Sequence, residues 1–126
     1  MNTLTLPMPS SLTAAPDDEL DAIRRVFDVS QAEIAHILGT TPRTVSRWRS
    51  TSAAHVKPRP AAARSLRDLA RLRWLLETDL GAERSAQWLR TPNPALRGQA
   101  PLDALLNGET ERVLGLVTVL GEGGLF

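Results

Sequence analysis

Two arginines four positions apart, Arg43 and Arg47, carry the clearest chemistry in the chain. Each guanidinium is a planar fork of donors that matches the two acceptors on a guanine edge in the major groove. Thr41, Thr44 and Ser46 surround them with hydroxyls suited to bases or phosphates, and Gln31 precedes them at a helix start, where such proteins meet the DNA backbone. Nothing comparable supports catalysis. The chain has no cysteine, which excludes disulfides, thiol chemistry and thiolate zinc sites. His36 and His55 stand alone, without a nucleophile or a ligand set, and no phosphate loop or dinucleotide fingerprint is present. Asp103 reads as a helix-start acid and not as a base. The expectation is a protein that is not an enzyme and takes no cofactor.

The elements that must position these side chains are legible in Ser30–Ser50. Ser30 with Glu33 makes a capping box that opens a helix, and Ile34, Ala35 and Leu38 share its inner face. Gly39 supplies the sharp exit. Thr41 caps a second helix, and Pro42 suits its first position because no N–H is needed there. Val45, Trp48 and the stem of Arg49 point inward, while Arg43, Ser46, Arg47 and Ser50 point outward. This is a helix-turn-helix with a free face of the right chemistry for DNA. The plainer alternative is an ordinary helix pair in a bundle with a solvated arginine face.

The rest of the chain reads as helices separated by breakers. Residues 1–16 hold three prolines and no charge and are expected to be a flexible leader. A first helix is predicted over Asp17–Phe27, with acids at its N-terminus and Leu20, Ile23 and Phe27 facing a core. Pro58 and Pro60 interrupt a loop over 51–60. A long helix follows from Ala61 to about Thr78, with Leu66, Leu69, Leu72 and Leu76 buried. Arg64, Arg67 and Arg71 form a stripe on another side, either solvated and paired with Asp68 or in contact with DNA. Trp74, Leu75 and Leu76 in succession predict burial all round at that level. Gly81 breaks this helix, and a short one covers 82–89. A compact loop over Arg90–Pro101 leads to a helix opened by Pro101 and stopped at Asn107–Gly108. The last helix is predicted over Glu109–Leu120, with a strand after Gly115 as the alternative.

The net charge of +1 conceals a segregation. Residues 1–29 and 74–126 are each net −3, and residues 30–73 are net +7. A basic middle favours a local polyanion-binding surface; the alternative is that the acidic flanks neutralise it on folding. No run of residues reaches the ~18–20 apolar positions of a membrane helix, and the N-terminus lacks a signal-peptide pattern, so a cytoplasmic location is expected.

The C-terminal part carries a resemblance. Ala86–Gln87–Trp88–Leu89, Thr91–Pro92–Asn93–Pro94–Ala95–Leu96, Gly98, Pro101–Leu102, Leu105–Leu106 and Glu111–Arg112–Val113 resemble the toxin-binding domain of the Xre/MbcA/ParS antitoxins. With the helix-turn-helix, which these antitoxins also carry, the likeness covers roughly residues 18–121. It implies an all-α protein that partners a RES-domain toxin, an enzyme that depletes NAD. Neutralisation is implied to work by obstructing the toxin's active-site entrance, and the pair is implied to repress its own operon through operator DNA. The division expected is a DNA-reading part over 17–73 and a toxin-binding part with a tail over 74–126. Trp88, Leu89, Pro92, Asn93, Leu96 and Leu120 are the toxin-binding candidates; the residues alone allow Trp88 to be simply core. The tail Gly123–Gly124–Leu125–Phe126 either enters a partner's cleft or is a frayed end. DNA reading implies a homodimer or a larger assembly with toxin. A stand-alone regulator, whose C-terminal part oligomerises or binds another protein, is the alternative.

Overall fold

Local signals dictate most of the element boundaries in the computed structural model, which describes residues 16–49 and 58–123. Six α-helices follow in order: α1 (Pro16–Phe27), α2 (Gln31–Ile37), α3 (Pro42–Trp48), α4 (Pro60–Leu89), α5 (Pro101–Leu106) and α6 (Thr110–Glu122). A short 3-10 turn, Pro94–Leu96, precedes α5. The fold is all-α, as expected. The expectations for the leader, Ser50, the 51–57 part of the loop, and Gly124, Leu125 and Phe126 lie outside the described residues.

The capping box forms as the sequence requires. Ser30 Oγ accepts from the Glu33 N–H at 3.1 Å, and Glu33 Oε1 accepts from the Ser30 N–H at 2.9 Å. Gly39 turns the chain at φ +72°, and Thr41 Oγ1 accepts from the Thr44 N–H to start α3 behind Pro42. Ser30→Ala removes one side of the box and is expected to cost about 1 kcal/mol, read from denaturant unfolding.

Helix α4 forms the spine. Helices α1 and α6 both pack along it, α1 from Glu19 beside Arg73 to Phe27 beside Arg90 and α6 from Thr110 near Arg64 to Leu120 near Leu80, and α2 and α3 pack on each other. One continuous cluster of buried side chains runs from Leu20, Ile23 and Phe27 through Ile34, Val45, Leu69, Leu72 and Leu76 to Leu105, Val113 and Val117. Residues 73 and 74, the expected boundary between the two parts, lie inside the unbroken helical run before Gly81. The expected all-round burial at this level is corrected: Leu76 is buried, but Trp74 and Leu75 are half-exposed. Two covering helices leave part of α4's circumference open to water. The strand alternative after Gly115 is not realised, because α6 continues to Glu122 with Val113 and Val117 on its inner side.

Gly81 kinks α4 at φ +81°, ψ +166°, a conformation that only glycine adopts without strain. Ser85 Oγ donates to the freed Gly81 carbonyl at 2.6 Å from a fully buried position. The kink redirects α4 so that its last two turns carry Trp88 and Leu89 over the second half of the fold. Although a Cβ at Gly81 would meet nothing, the backbone alone makes Gly81→Ala costly, by about 1–3 kcal/mol in unfolding free energy.

The acidic N-terminal segment neutralises part of the basic middle. Arg49 pairs with Asp21. Arg73, a buried side chain, holds the buried Glu19 carboxylate with both Nε, at 2.8 Å, and Nη2, at 3.0 Å. Its third contact is Nη1 to Glu77 Oε1 at 2.6 Å. Burial pushes the Glu19 carboxyl above the usual carboxylate range, against the opposing pull of Arg73.

Candidate functional site

Two surfaces result from this arrangement. The first is the outer face of α3. Val45 and Trp48 are buried against α2, so the helix cannot rotate. Arg43 and Arg47 project outward, exposed and without an ion-pair partner among the described residues. Arg59, Arg64 and Arg67 at the start of α4 are exposed in the same way. These cations remain after Arg49 and Arg73 have been paired internally.

The remaining DNA-reading candidates are tied to each other. Gln31 Nε2 donates to Ser46 Oγ at 2.8 Å and to the Pro42 carbonyl at 3.3 Å, so it staples α2 to α3. Ser46 keeps its own O–H for another acceptor. The Thr41 and Thr44 hydroxyl oxygens lie 3.0 Å apart and bond to one another. Arg43 and Arg47 are therefore the members of the set with no side-chain partner among the described residues, and Gln31, Thr41, Thr44 and Ser46 hold the helix that presents them.

The second surface lies where the end of α4 meets the end of α6. An open groove of about 440 Å³ is lined by Leu80, Arg84, Gln87, Trp88, Thr91, Asn93 and Leu120. Of the candidates read from the sequence, Trp88, Asn93 and Leu120 are brought together here. Trp88 and Leu120 are half-buried, each offering an apolar edge to the groove. Asn93 Oδ1 accepts from the Ala95 N–H at 2.9 Å, and its backbone bridges to Gln99, which fixes the Pro-rich loop. Pro92 is exposed beside it, and Gly123 follows α6 at the surface. Leu89 and Leu96 are different: they are 0% and 2% exposed and belong to the core. Neither lines the groove.

Sequence reasoning missed Leu80, Arg84, Gln87 and Thr91 as groove residues. Their residue types were visible, but the kink at Gly81, which sets the course of Arg84 and Gln87 relative to Leu80, gives a direction no local pattern shows. It also missed Arg90. That guanidinium donates to the carbonyls of Phe27, Ala86 and Asp28 at 2.9, 3.0 and 2.7 Å. It thereby caps the C-terminus of α1 with a cation and locks the groove-bearing end of α4 to the segment that leads into the helix-turn-helix.

A helix-turn-helix and a grooved helical module built on one spine define a two-surface all-α protein. Residues 72–121 match the family model described as the antitoxin Xre/MbcA/ParS C-terminal toxin-binding domain. The chain is 31% identical over 102 residues to the mycobacterial cidal antitoxin MbcA of Mycobacterium bovis and of Mycobacterium tuberculosis, covering 81% of this chain and 87% of theirs. It also resembles a chain in the crystal structure of the M. tuberculosis MbcT–MbcA toxin–antitoxin complex, with a TM-score of 0.63 and 28% identity over 98% of this chain and 97% of that one. The chain belongs to the Xre/MbcA/ParS antitoxin family, and it is an antitoxin of a toxin–antitoxin pair.

Proposed function

We propose that this antitoxin neutralises a RES-domain toxin that depletes NAD, by seating the groove of Trp88, Asn93 and Leu120 at the toxin's active-site entrance. The observation that carries this reading is the meeting of those residues at one groove within the span matched to the toxin-binding domain. Pro92 and Gly123 flank it, and in this reading Gly124, Leu125 and Phe126, which follow in the sequence, enter the toxin's cleft. Leu89 and Leu96 contribute through the core that holds this part of the fold. The family's solved toxin–antitoxin complex supports a toxin as the partner. The direct test adds the purified chain to its purified cognate toxin and follows NAD. Inhibition at one equivalent supports the reading, and unabated NAD loss refutes it.

The same chain, with its toxin, represses its own operon in the cytoplasm by placing α3 in the major groove of operator DNA. Arg43 and Arg47 read bases, and Arg59, Arg64 and Arg67 supply cationic charge near the backbone. Arg47→Ala is expected to weaken operator binding by about 1–3 kcal/mol in fluorescence anisotropy while leaving random-sequence binding much less affected. Equal losses on both DNAs would make Arg47 a phosphate contact. The division of labour is between two faces, the 17–73 part reading DNA and the 74–126 part taking the toxin, although one helix serves both.

A further inference from the structure

We propose that the groove at the end of α4 selects its toxin by reading a carboxylate: the toxin segment it takes carries an Asp or Glu beside an apolar side chain, and Arg84 holds that acid. The inference rests on the groove being the toxin's seat. Past the kink at Gly81, Arg84, Gln87, Trp88 and Thr91 follow at the spacing of one helix face, and all four line the groove. Their polar ends are unequal. The Thr91 hydroxyl donates to the Gln87 carbonyl at 2.8 Å, and Asn93 Oδ1 is taken by the Ala95 N–H, which leaves the Asn93 amide as a donor. Arg84 is exposed and enters no ion pair among the described residues. It is the one charged group in the lining. The neighbouring acids are turned elsewhere. Glu83 lines a separate cleft beside Arg25 and Arg90. Asp79 lies against Gly121, with Oδ2 3.0 Å from where a Cβ would stand. Glu122 is about 200° around α6 from Leu120.

An unpaired cation in an acidic half of the chain points to the occupant. Residues 74–126 carry four arginines against seven acids. Arg90 is held by backbone carbonyls, Arg112 sits 3.5 Å from Glu109, and Arg97 belongs to the turn after Leu96. Most of this half therefore repels an acidic segment, and the groove attracts one. A local attraction on a repulsive ground confers selectivity more than affinity. The spacing sets the form of the segment. Trp88 follows Arg84 by one helical turn, a rise of about 6 Å. An apolar side chain seated against Trp88, Leu80 and Leu120 then carries a carboxylate to Arg84 when the two are neighbours on one face of a helix or strand. The guanidinium fork takes a carboxylate through two parallel hydrogen bonds, and the apolar seat beside it keeps water from the pair. A lysine at this position would keep the charge and lose the fork.

Isothermal titration calorimetry of the full chain against its purified cognate toxin, at low and high salt, tests this. Arg84→Gln should raise the dissociation constant about tenfold or more at low salt, and Arg84→Lys should recover part of the loss. Wild-type affinity should fall more steeply with salt than that of Arg84→Gln, a difference that a merely structural role would not produce. Arg84 has no partner within its own fold to lose, so the thermal melts should coincide. Single Asp→Lys and Glu→Lys changes across the toxin should include one that loses the wild-type chain and regains binding to Arg84→Glu. If Arg84→Gln binds as wild type while Leu120→Asp loses the toxin, the groove stands as the seat and the carboxylate reading is overturned. If both variants bind as wild type, the seat itself is wrong and the inference falls with it. Loss at Arg84→Glu that no toxin acid rescues also overturns the pairing.

Discussion

Replacing Arg73 with Met is expected to destabilise the chain by about 3–5 kcal/mol, because it leaves a buried carboxylate without its partner. Glu19 is 5% exposed and Arg73 8%, and the two share a bidentate contact that ties α1 to the centre of α4. Double replacement of Glu19 and Arg73 by Met should recover most of the loss, since two apolar side chains of similar length leave no charge stranded. The pH dependence has a definite sign. Burial already raises the Glu19 carboxyl, with Glu77 adding to the rise and Arg73 and Arg25 opposing it. Removing Arg73 raises it further. A group whose pKa is raised on folding contributes stability below its unfolded pKa and loses it as pH rises through the folded one. The deficit of Arg73→Met relative to wild type should therefore be greatest near neutrality and shrink as pH falls into the carboxylate range. Urea unfolding of the three proteins at neutral and acidic pH checks both statements.

Leu120→Asp is expected to weaken toxin binding by about 2–4 kcal/mol, a 30- to 1000-fold rise in dissociation constant, if the groove is the toxin's seat. The substitution puts a charge on an apolar rim where Trp88 and Leu80 supply the opposite wall. Leu120 is half-exposed, so the fold should survive, and an unchanged circular dichroism melt is the control. Arg84→Glu, at an exposed position in the same groove, gives a second variant that does not touch the core. Arg47→Ala should leave toxin binding as it is, because α3 lies on the other surface.

What the sequence made legible was punctuation and periodicity. Ser30 with Glu33, Pro42 after Thr41, Gly39, Gly81 and Gly108 act within a few residues of themselves, so their consequences could be read without the fold. Each helix was placed to within a few residues for the same reason. Contacts between distant segments were not legible. Arg73 and Glu19 are 54 positions apart, and Arg90 reaches Phe27 across 63. Neither arginine differs in its local pattern from the exposed Arg64 or Arg67. The candidate groove was legible in residue type but not in orientation. Leu89 and Trp88 are adjacent and both apolar, yet one enters the core and the other lines the groove. Leu96 looked like a contact residue because a leucine in a Pro-rich loop carries no sign of which way it faces. The burial of Trp74 was overestimated because three apolar residues in a row do not reveal how many helices arrive to cover them.

The groove at the end of α4 is the surface through which this chain is proposed to silence its toxin. The most direct test follows NAD in cells expressing the cognate toxin with wild-type chain or with Leu120→Asp. Held NAD with wild type, and falling NAD with an equally abundant and folded Leu120→Asp, is the predicted result. NAD that falls with both, or is held equally by both over matched expression levels, would contradict the claim.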